Sequence, residues 1–395
     1  MNLESMDKEY ILQTYNRDYT NFVKGENARL YDENGREFID FASGIAVNSI
    51  GHAHPKLTEA ICKQAREIIH ISNLQVIEPQ AKVAKRLVNL SGFDMRCFFG
   101  NSGAEANEGA LKIARKYGEI NFEQKKYKVI TLKHSFHGRT ITTLKATGQT
   151  AMHKSEFSPY PDGLDYADDI DDIYNKIDKD TVAVMIELVQ GEGGVEPFDK
   201  LQIQTLAKFL KKEGLLLIVD EVQTGIYRTG EFLASNLYEI KPDIITLAKG
   251  LGGGIPIGVV MTSLKDIFSY GDHGSTFGGN YLSSRAGLVV LDVLEEESKS
   301  GRLKKRIEAF NRRLEALVHP SNHLFIKKVG VGLMLGLRAK DSQTQAQIVQ
   351  ECFRNGLIVL KAGRDTIRFL PPLTITEDEI DEGFKRFEEA ILKIC

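Results

Sequence analysis

Two charged residues stand at the ends of apolar stretches, where isolated charges are rare. Lys249 follows the run "DIITLA" and precedes a glycine cluster, and Asp220 ends the run "LLLIVD". A desolvated carboxylate stays ionised only beside a cationic or hydrogen-bonding partner, so a purely structural pairing is one reading. The other is a site for pyridoxal phosphate, which needs a lysine to form a Schiff base and an acid to keep its ring nitrogen protonated. Glycines beside Lys249 would leave space for a ligand and let the backbone bend.

A second stretch offers a place for an anion. In "FFGNSGAEANEG", residues 101–104 form a small-residue turn between a short apolar segment and a helix that begins near Glu105. Backbone N–H groups at such a helix start can point at a phosphate, although an ordinary capped helix start has the same composition. The sequence contains no GxGxxG, GxxxxGK[ST] or HExxH motif, which argues against dinucleotide, nucleoside triphosphate and zinc-protease sites.

Two further segments carry side chains suited to ligand binding. "SFHGRT" places Phe136 and Arg139 just after an apolar segment, where an aromatic ring serves either as core or as a platform for a cofactor. Thr276, in the glycine-rich "HGSTFGG", has a hydroxyl able to reach a phosphate. The histidine pairs 52/54 and 134/137 lack a cysteine or carboxylate set at ligand spacing, so we interpret them as loop and packing residues and expect no metal site.

Bulk properties exclude several classes of protein. The 395 residues carry a net charge of −3, which provides no basic field for nucleic acid or an anionic membrane. The four cysteines (Cys62, Cys97, Cys352 and Cys395) are far apart without CxxC spacing, which predicts neither disulfides nor zinc and favours the reducing cytoplasm. The polar start "MNLESMDKEY" is unlike a signal peptide, and no apolar run approaches the roughly 20 residues that span a bilayer.

The elements that would position these residues are readable from periodicity. Alternation around Asn34-Gly35 predicts a β-hairpin over residues 28–40, and a helical pattern begins near Leu57. Short apolar runs predict buried strands of a mostly parallel sheet covered by helices, over residues 128–132, 182–189, 215–222, 244–247 and 258–261. After residue 300 an amphipathic helix and strands over 330–337 and 366–369 indicate a smaller C-terminal domain. In such sheets ligands bind beyond the carboxyl ends of the strands.

The order of the motifs resembles the class III aminotransferases, pyridoxal phosphate enzymes of fold-type I. The resemblance extends over nearly the whole chain and rests on the segments "YDENGREFIDFASGIAVNSIGHAHP", "GNSGAEANEGALKIAR", "SFHGRT", "VQGEGGVEP", "DEVQTGIYRTG", "LAKGLGGGIPIG", "STFGGN" and "IRFLPPL". It implies an α/β fold with a large domain (56–299) around a mostly parallel seven-stranded sheet. A small α+β domain would combine the N-terminal segment (1–55) with residues 300–395. Leu188 departs from the family, whose members often carry proline there.

The same resemblance assigns roles to individual residues. It implies that Lys249 bonds to the cofactor, that Asp220 faces its ring nitrogen and that Gln223 reaches its phenolic oxygen. Val222 and Phe136 would cover the two faces of the ring, and the phosphate would be held by Ser102, Gly103, Ala104 and, from the second subunit of a homodimer, Thr276. Arg368 would bind the α-carboxylate of glutamate and Arg139 its side-chain carboxylate. Glu192 resembles a switch glutamate that neutralises Arg368 when no second carboxylate is present; the alternative is a solvated loop acid.

The activity implied is a two-step amino transfer in the cytoplasm. The segment "ASGIAVN" is closest to the acetylornithine branch, whose reaction moves the terminal amine of N2-acetyl-L-ornithine to 2-oxoglutarate in arginine biosynthesis. Ornithine, 4-aminobutyrate and succinyl-diaminopimelate are alternative donors within the family. A non-catalytic α/β binding protein is the alternative from a different class, and the absence of a visible absorption band near 400 nm that borohydride removes would identify it.

Overall fold

The computed structural model describes residues 2–319 and 322–394 of the chain. The helices are α1 (Leu3–Tyr10), α2 (Ser43–Ala46), α3 (Pro55–Glu67), α4 (Glu78–Ser91), α5 (Gly103–Ile120), α6 (Ile141–Ala146), α7 (Ile170–Lys176), α8 (Lys200–Lys212), α9 (Ala234–Leu237), α10 (Tyr281–Lys299), α11 (Arg302–Ala316), α12 (Ser342–Arg354) and α13 (Glu377–Leu392). The strands are β1 (Phe22–Glu26), β2 (Arg29–Asp32), β3 (Glu37–Asp40), β4 (Arg96–Gly100), β5 (Lys128–Leu132), β6 (Leu164–Ala167), β7 (Thr181–Ile186), β8 (Val189–Gln190), β9 (Glu196–Pro197), β10 (Leu216–Asp220), β11 (Ile244–Leu247), β12 (Gly258–Thr262), β13 (Phe325–Val331), β14 (Met334–Ala339), β15 (Leu357–Ile358), β16 (Leu360–Ala362) and β17 (Thr366–Phe369).

A mixed sheet forms the centre of the fold. Within the described ranges seven strands take part, in the order β4-β12-β11-β10-β7-β5-β6. Every neighbouring pair from β11 to β6 is parallel, whereas β12 runs antiparallel to both of its neighbours. All residues of β7, β10, β11 and β12 are buried, because helices cover both faces of the sheet. The expectation of a mostly parallel, seven-stranded sheet is therefore confirmed.

Two smaller sheets lie beside the central one. The first, in the order β1-β2-β3-β15, joins strands near the N-terminus to a strand that follows α12. Its hairpin turns at Asn34-Gly35 as predicted, and Gly35 adopts φ +78°. The second has the order β13-β14-β17-β16. Here one prediction was wrong: residues 330–337 are not a single strand but span the turn between β13 and β14. Gly332 adopts φ +64°, a conformation that favours glycine and reverses the chain.

The strand predicted over residues 182–189 is also interrupted. β7 ends at Ile186, and a separate short strand, β8, begins at Val189 and pairs with β9. Glu187 lies between them, where its carboxylate bonds to backbone N–H groups of two loops. The apolar run thus continues through a change of chain direction, which periodicity alone does not reveal.

The element α2 is a left-handed turn. Ser43, Gly44, Ile45 and Ala46 have φ angles of 49°, 61°, 65° and 63°. Such a conformation costs non-glycine residues roughly 1–2 kcal/mol each, so neighbouring bonds must hold it. Asp40 supplies two of them, since its Oδ1 accepts from the backbone N–H groups of residues 42 and 43. The turn delivers Val47 to the wall of the cavity described below.

Cys62, Cys97 and Cys352 are unpaired, and Cys395 lies outside the described residues. In the part of the chain that is described, no helix is long and apolar enough to cross a membrane. The same residues contain no group of three or more histidine, cysteine or acidic side chains placed to hold a metal ion.

Candidate active site

A cavity of about 420 Å³ opens where β5, β7, β10 and β11 end. This is the carboxyl edge of the parallel strands, where the sequence predicts ligand binding. Ten of the residues singled out from the sequence line it: Ser102, Gly103, Ala104, Phe136, Arg139, Glu192, Asp220, Val222, Gln223 and Lys249. Arg368 contacts two of these lining residues, whereas Thr276 is exposed and is not among the residues that line the cavity.

Lys249 begins a short 3-10 helix directly after β11 and adopts φ 38°. Burial lowers the pKa of its amine and Arg368 lowers it further, while the carboxylates of Glu192, Asp220 and Glu187 oppose the shift. A lowered pKa favours the neutral amine, the form that acts as nucleophile or base. The glycines nearby serve close backbone approach: a Cβ at Gly252 would lie 1.9 Å from the Ile255 carbonyl oxygen, and one at Gly258 would lie 2.1 Å from that of Ser102.

Asp220 ends β10 with a carboxylate that is 3% exposed and accepts three hydrogen bonds. Its Oδ2 accepts from Nδ2 of Asn107 and from Nδ1 of His137, both at 2.8 Å, and its Oδ1 accepts from the Val222 N–H at 3.0 Å. This corrects the interpretation of His137 as a loop or packing residue, because its ring holds the carboxylate in place. Sequence reasoning missed Asn107 entirely, although it lies one helical turn after Gly103 on α5.

The start of α5 brings the turn at residues 101–104 to the cavity. Ser102 is the N-cap, and its hydroxyl accepts from the Glu105 N–H at 3.2 Å. The N–H groups of Gly103 and Ala104 precede the first intrahelical bond and line the cavity, so they can donate to an anion. Gly103 permits close packing of this turn, because a Cβ there would lie 2.7 Å from Cγ1 of Val222.

Phe136 and Val222 contribute apolar surface to the cavity from two different loops. The Phe136 N–H donates to Oε1 of Glu187 at 2.9 Å, which fixes the backbone that carries the ring. The guanidinium of Arg139, an exposed residue, lies 5.6 Å from the centre of the Phe136 ring. That distance is within the range of a cation–π contact, so ring and guanidinium position one another.

Arg368 and Glu192 form an ion pair at the cavity wall. Nη1 of Arg368 donates to Oε1 of Glu192 at 2.6 Å and to Oε1 of Gln223 at 3.3 Å. The arginine side chain is 2% exposed and that of the glutamate 29%. Among the described residues nothing bonds to Nε of Arg368. This guanidinium therefore retains donor capacity toward a carboxylate that enters the cavity.

The backbone that carries Glu192 is tightly held. Its carbonyl accepts from the Gly363 N–H at 2.8 Å, and the Gly194 carbonyl accepts from the Thr366 hydroxyl at 3.2 Å. Glycines are required around it: a Cβ at Gly191 would lie 2.3 Å from Oε1 of Gln223, and one at Gly193 would lie 2.7 Å from the His134 carbonyl oxygen. These contacts restrict backbone movement around Glu192, so rotation of its partly exposed side chain is the easiest way for it to leave Arg368.

Leu188, the departure from the family pattern, is fully buried and its carbonyl accepts from the Tyr238 hydroxyl at 3.1 Å. Of the other histidines, His52 bonds through Nε2 to Oδ2 of Asp40 at 2.7 Å. That bond supports the left-handed turn and agrees with the interpretation of His52 as a loop residue.

The residues of the cavity fit pyridoxal phosphate. One cavity contains a buried amine of lowered pKa, a carboxylate held by two side-chain donors, and free N–H groups at a helix start. Apolar side chains from two loops line the same cavity. Within the described residues, buried Nε2 of His137 and Oδ1 of Asn107 also have no partner. This donor set offers a covalent anchor, a counter-charge for a ring nitrogen and an anion site.

Comparisons with known proteins point to one family. The profile of the family "Aminotransferase class-III" matches residues 12–391. Acetylornithine aminotransferase of Wolinella succinogenes is 58% identical over 389 residues, which cover 98% of this chain and 99% of that protein. Ornithine aminotransferase of Toxoplasma gondii, in a structure with partial occupancy of PLP at the active site, superposes with a TM-score of 0.92 at 31% identity over 99% of this chain and 94% of that one. N-acetylornithine aminotransferase of Stenotrophomonas maltophilia gives a TM-score of 0.82 at 33% identity, with 99% of both chains covered.

Proposed function

Because this chain belongs to the class-III aminotransferases, we propose that it moves the terminal amino group of N2-acetyl-L-ornithine to 2-oxoglutarate. The products are N-acetyl-L-glutamate 5-semialdehyde and L-glutamate, a step of arginine biosynthesis. The Arg368–Glu192 ion pair is the observation that carries the proposal, since it suits a site that accepts substrates with one and with two carboxylates. The full-length identity of 58% to an acetylornithine aminotransferase supports the choice of donor.

The enzyme is a pyridoxal phosphate-dependent aminotransferase of fold-type I, and its cavity residues suit that cofactor. When bound, the cofactor supplies an electron sink that stabilises negative charge at the carbon bearing the reacting amine. Lys249 would hold it covalently, and Ser102, Gly103 and Ala104 would bind its phosphate. Asp220 would keep the ring nitrogen protonated, while Gln223 would contact the phenolic oxygen. Val222 and Phe136 would pack on the two ring faces.

Lys249 also moves the proton in the proposed reaction. Once freed by the substrate amine, Nζ of Lys249 would be a neutral amine that lines the same cavity. Burial lowers the pKa of this amine, so it accepts the proton from the substrate carbon more readily than an exposed, protonated lysine. The resulting ammonium would then deliver that proton to the C4′ carbon of the cofactor.

The two arginines would recognise the substrates. Arg139 binds the carboxylate of N-acetylornithine, whose reacting amine is at the other end of the molecule. Arg368 has no carboxylate to bind in that half-reaction, and the carboxylate of Glu192 neutralises it instead. When glutamate or 2-oxoglutarate enters, its second carboxylate replaces Glu192, because a planar guanidinium binds carboxylates through paired hydrogen bonds.

The acetyl group of the donor has a chemical purpose. Transfer of the terminal amine leaves an aldehyde, and a free α-amine in the same molecule would cyclise onto it. Acylation removes that nucleophile, so the product remains open for the next reaction.

We extend the proposal to assembly, location and domains. In a homodimer, the exposed Thr276 would reach the phosphate site of the partner subunit, which agrees with its absence from the residues that line the cavity of its own chain. The enzyme would act in the cytoplasm. The domain division into residues 1–55, 56–299 and 300–395 is supported by the pairing of β3 with β15, which joins the two terminal segments in one sheet.

Ornithine, 4-aminobutyrate and succinyl-diaminopimelate are the competing donors, and the structural likeness to an ornithine aminotransferase favours including ornithine. Steady-state rates of glutamate formation from 2-oxoglutarate with each donor test the proposal. We expect the highest kcat/KM with N-acetylornithine. A higher value with any of the other three would reassign the substrate while leaving the reaction class intact.

A further inference from the structure

Glu187 is a buried acid of the cavity wall to which the proposed mechanism gives no task. It follows β7 directly, between β5 and β10 in the central sheet. The residue is 6% exposed, and it lines the cavity together with Asp220 and Lys249. A carboxylate in such a position is costly to bury, so its contacts should explain its presence.

Its two oxygens bond to two different loops. Oε1 accepts from the Phe136 N–H at 2.9 Å, and Oε2 accepts from the Gly191 N–H at 3.4 Å. The first loop carries Arg139 three residues later, with its guanidinium over the Phe136 ring. The second loop carries Glu192, the partner of Arg368, in the next position. One side chain thus connects the backbone segments that carry the two carboxylate-recognition systems.

The charge of Glu187 is sensitive to its surroundings. Burial raises the pKa of its carboxyl to about 7, with Asp220 acting in the same direction and His137 and Lys249 in the opposite one. In the ionised form both oxygens accept, which matches two N–H donors. An amide of the same shape presents one acceptor and one donor, so it satisfies one of the two N–H groups and opposes the other.

We propose that Glu187 is a positioning residue for substrate selection: it ties the Arg139 loop to the Glu192 loop and thereby holds Glu192 against Arg368. This inference rests on the proposed function, because it concerns the alternation of Arg368 between Glu192 and a second substrate carboxylate. Gly191 immediately precedes Glu192 in the chain. Loss of the hydrogen bond from Gly191 to Glu187 therefore loosens the backbone next to the Arg368–Glu192 ion pair. Residues that touch neither ligand can shift such equilibria.

Two non-reacting ligands isolate the effect. Glutarate and pentanoate share a five-carbon chain and one carboxylate, which Arg139 binds in both cases. Only glutarate has a second carboxylate, which must displace Glu192 from Arg368. The ratio of their dissociation constants therefore reports on that displacement, and effects on Arg139 cancel. Both constants are measured on the holoenzyme by titration of its visible absorption band, without any turnover.

Glu187→Gln is the test variant. We expect the ratio to shift toward glutarate by about 3- to 10-fold, because a less constrained Glu192 is easier to displace. The shift should disappear in the Glu192→Ala background, since the two residues act on the same contact. If Glu187→Gln does not fold, Glu187→Asp replaces it: the charge stays, but the shorter side chain cannot reach both N–H groups, and the same shift is expected.

Glu221 provides a matched control. It is also a buried acid after a strand of the central sheet, and it accepts from the N–H groups of Ala234 at 2.9 Å and Ser235 at 2.7 Å, but it does not line the cavity. Glu221→Gln should lower the unfolding midpoint and leave the ligand ratio within about twofold of wild type.

An unchanged ratio in the Glu187 variant overturns the inference, as does an equal shift in the presence and absence of Glu192. A shift of the same size in Glu221→Gln also overturns the inference, because a general loss of stability would then explain the change in the ligand ratio. None of these outcomes depends on the amine donor. Failure of the proposed function would instead appear as poor turnover of N-acetylornithine by the wild-type enzyme.

Discussion

Nη1 of Arg368 lies 2.6 Å from Oε1 of Glu192, and the two side chains differ sharply in exposure, at 2% and 29%. In the proposed function the buried partner would recognise a carboxylate, and the more accessible partner would leave. An unpaired guanidinium in a mostly dry site is unfavourable, so the glutamate stabilises the enzyme while no second carboxylate is present. This asymmetry motivates the first prediction.

Glu192→Ala should leave Arg368 permanently available. We expect the ratio of kcat/KM for N-acetylornithine to that for glutamate to fall by tenfold or more, because a hydrogen bond to a charged group contributes roughly 1.5–3 kcal/mol. Single-turnover kinetics with each donor separately measures the ratio. An unchanged ratio would contradict the switch even if both rates decline together.

Lys249→Ala should fold and lose at least about 1000-fold in turnover, since the amine serves both as covalent anchor and as proton carrier. The measurement is glutamate formation at saturating donor, with cofactor content determined on the same preparation. Near-normal transamination by this variant would exclude Lys249 from the chemistry. Lys265→Ala, at an ion-paired surface lysine outside the cavity, serves as the control and should retain wild-type rates.

Asp220→Asn should reduce turnover by about 100-fold or more while most of the cofactor stays bound. The amide oxygen can still accept from Asn107 and His137, so the geometry is largely kept, but the negative charge that favours a protonated ring nitrogen is lost. The cofactor is quantified after release, and the rate is measured in parallel. If cofactor content and turnover both stay near the wild-type values, another residue supplies the acid.

Subunit mixing tests the placement of Thr276. Thr276→Asp puts a carboxylate where the partner's phosphate would bind, and Lys249→Ala removes the anchor of its own chain. In a mixed dimer one site has both changes and the other has neither. With random exchange we expect about a quarter of wild-type activity to return, because half of the dimers are mixed and each has one intact site. No recovery after demonstrated exchange would show that Thr276 does not act in the site of the partner subunit.

Glu187 should make stability depend on pH. Because the pKa of its carboxyl is raised to about 7 in the folded protein, the native state keeps a proton that the unfolded chain loses near its ordinary pKa of 4.5. The stabilisation from this proton is complete below the unfolded pKa and is lost as the pH rises through about 7.

Over that window the free energy of unfolding of wild type, relative to Glu187→Gln, should fall by up to about 1.4 kcal/mol per pH unit. Urea denaturation of both proteins from about pH 5 to about pH 8 measures the difference. His137, Asp220 and Lys249 lie near position 187 in wild type and are unchanged in the variant, so their own titration contributes to both proteins. A difference that is independent of pH would show that the carboxyl is already ionised at the lower end.

The central sheet and most of the site could be predicted from sequence, because their signals are local. Lys249 and Asp220 each end an apolar run, and the turn at residues 101–104 precedes a regular helix, so residue type and position along the chain are sufficient. The resemblance of the motifs to those of the class III aminotransferases then suggests the roles of these residues, which their spacing alone does not determine.

The partners of these residues could not be predicted in the same way, because tertiary contacts create them. Asn107 and His137 bond to Asp220 across 113 and 83 positions of the chain. The strand predicted over residues 182–189 includes Glu187, although an acid inside an apolar run is itself a signal of a buried polar contact. Sequence reasoning does not find the hairpin at Gly332 because residues 329–337 are all apolar or glycine and the turn contains only two residues.

The restrained backbone around Glu192 also bears on the rate at which Arg368 exchanges Glu192 for a substrate carboxylate. This exchange does not depend on a slow loop movement. Loop closure occurs on the microsecond to millisecond scale, whereas rotation of an accessible side chain takes picoseconds to nanoseconds. Since hydrogen bonds from Gly363 and Thr366 hold the loop, only side-chain rotation is required. Enzymes of this kind turn over roughly 1–1000 times per second, so the exchange is complete long before chemistry begins. Each incoming substrate therefore meets a site in which the contact between Arg368 and Glu192 has already equilibrated.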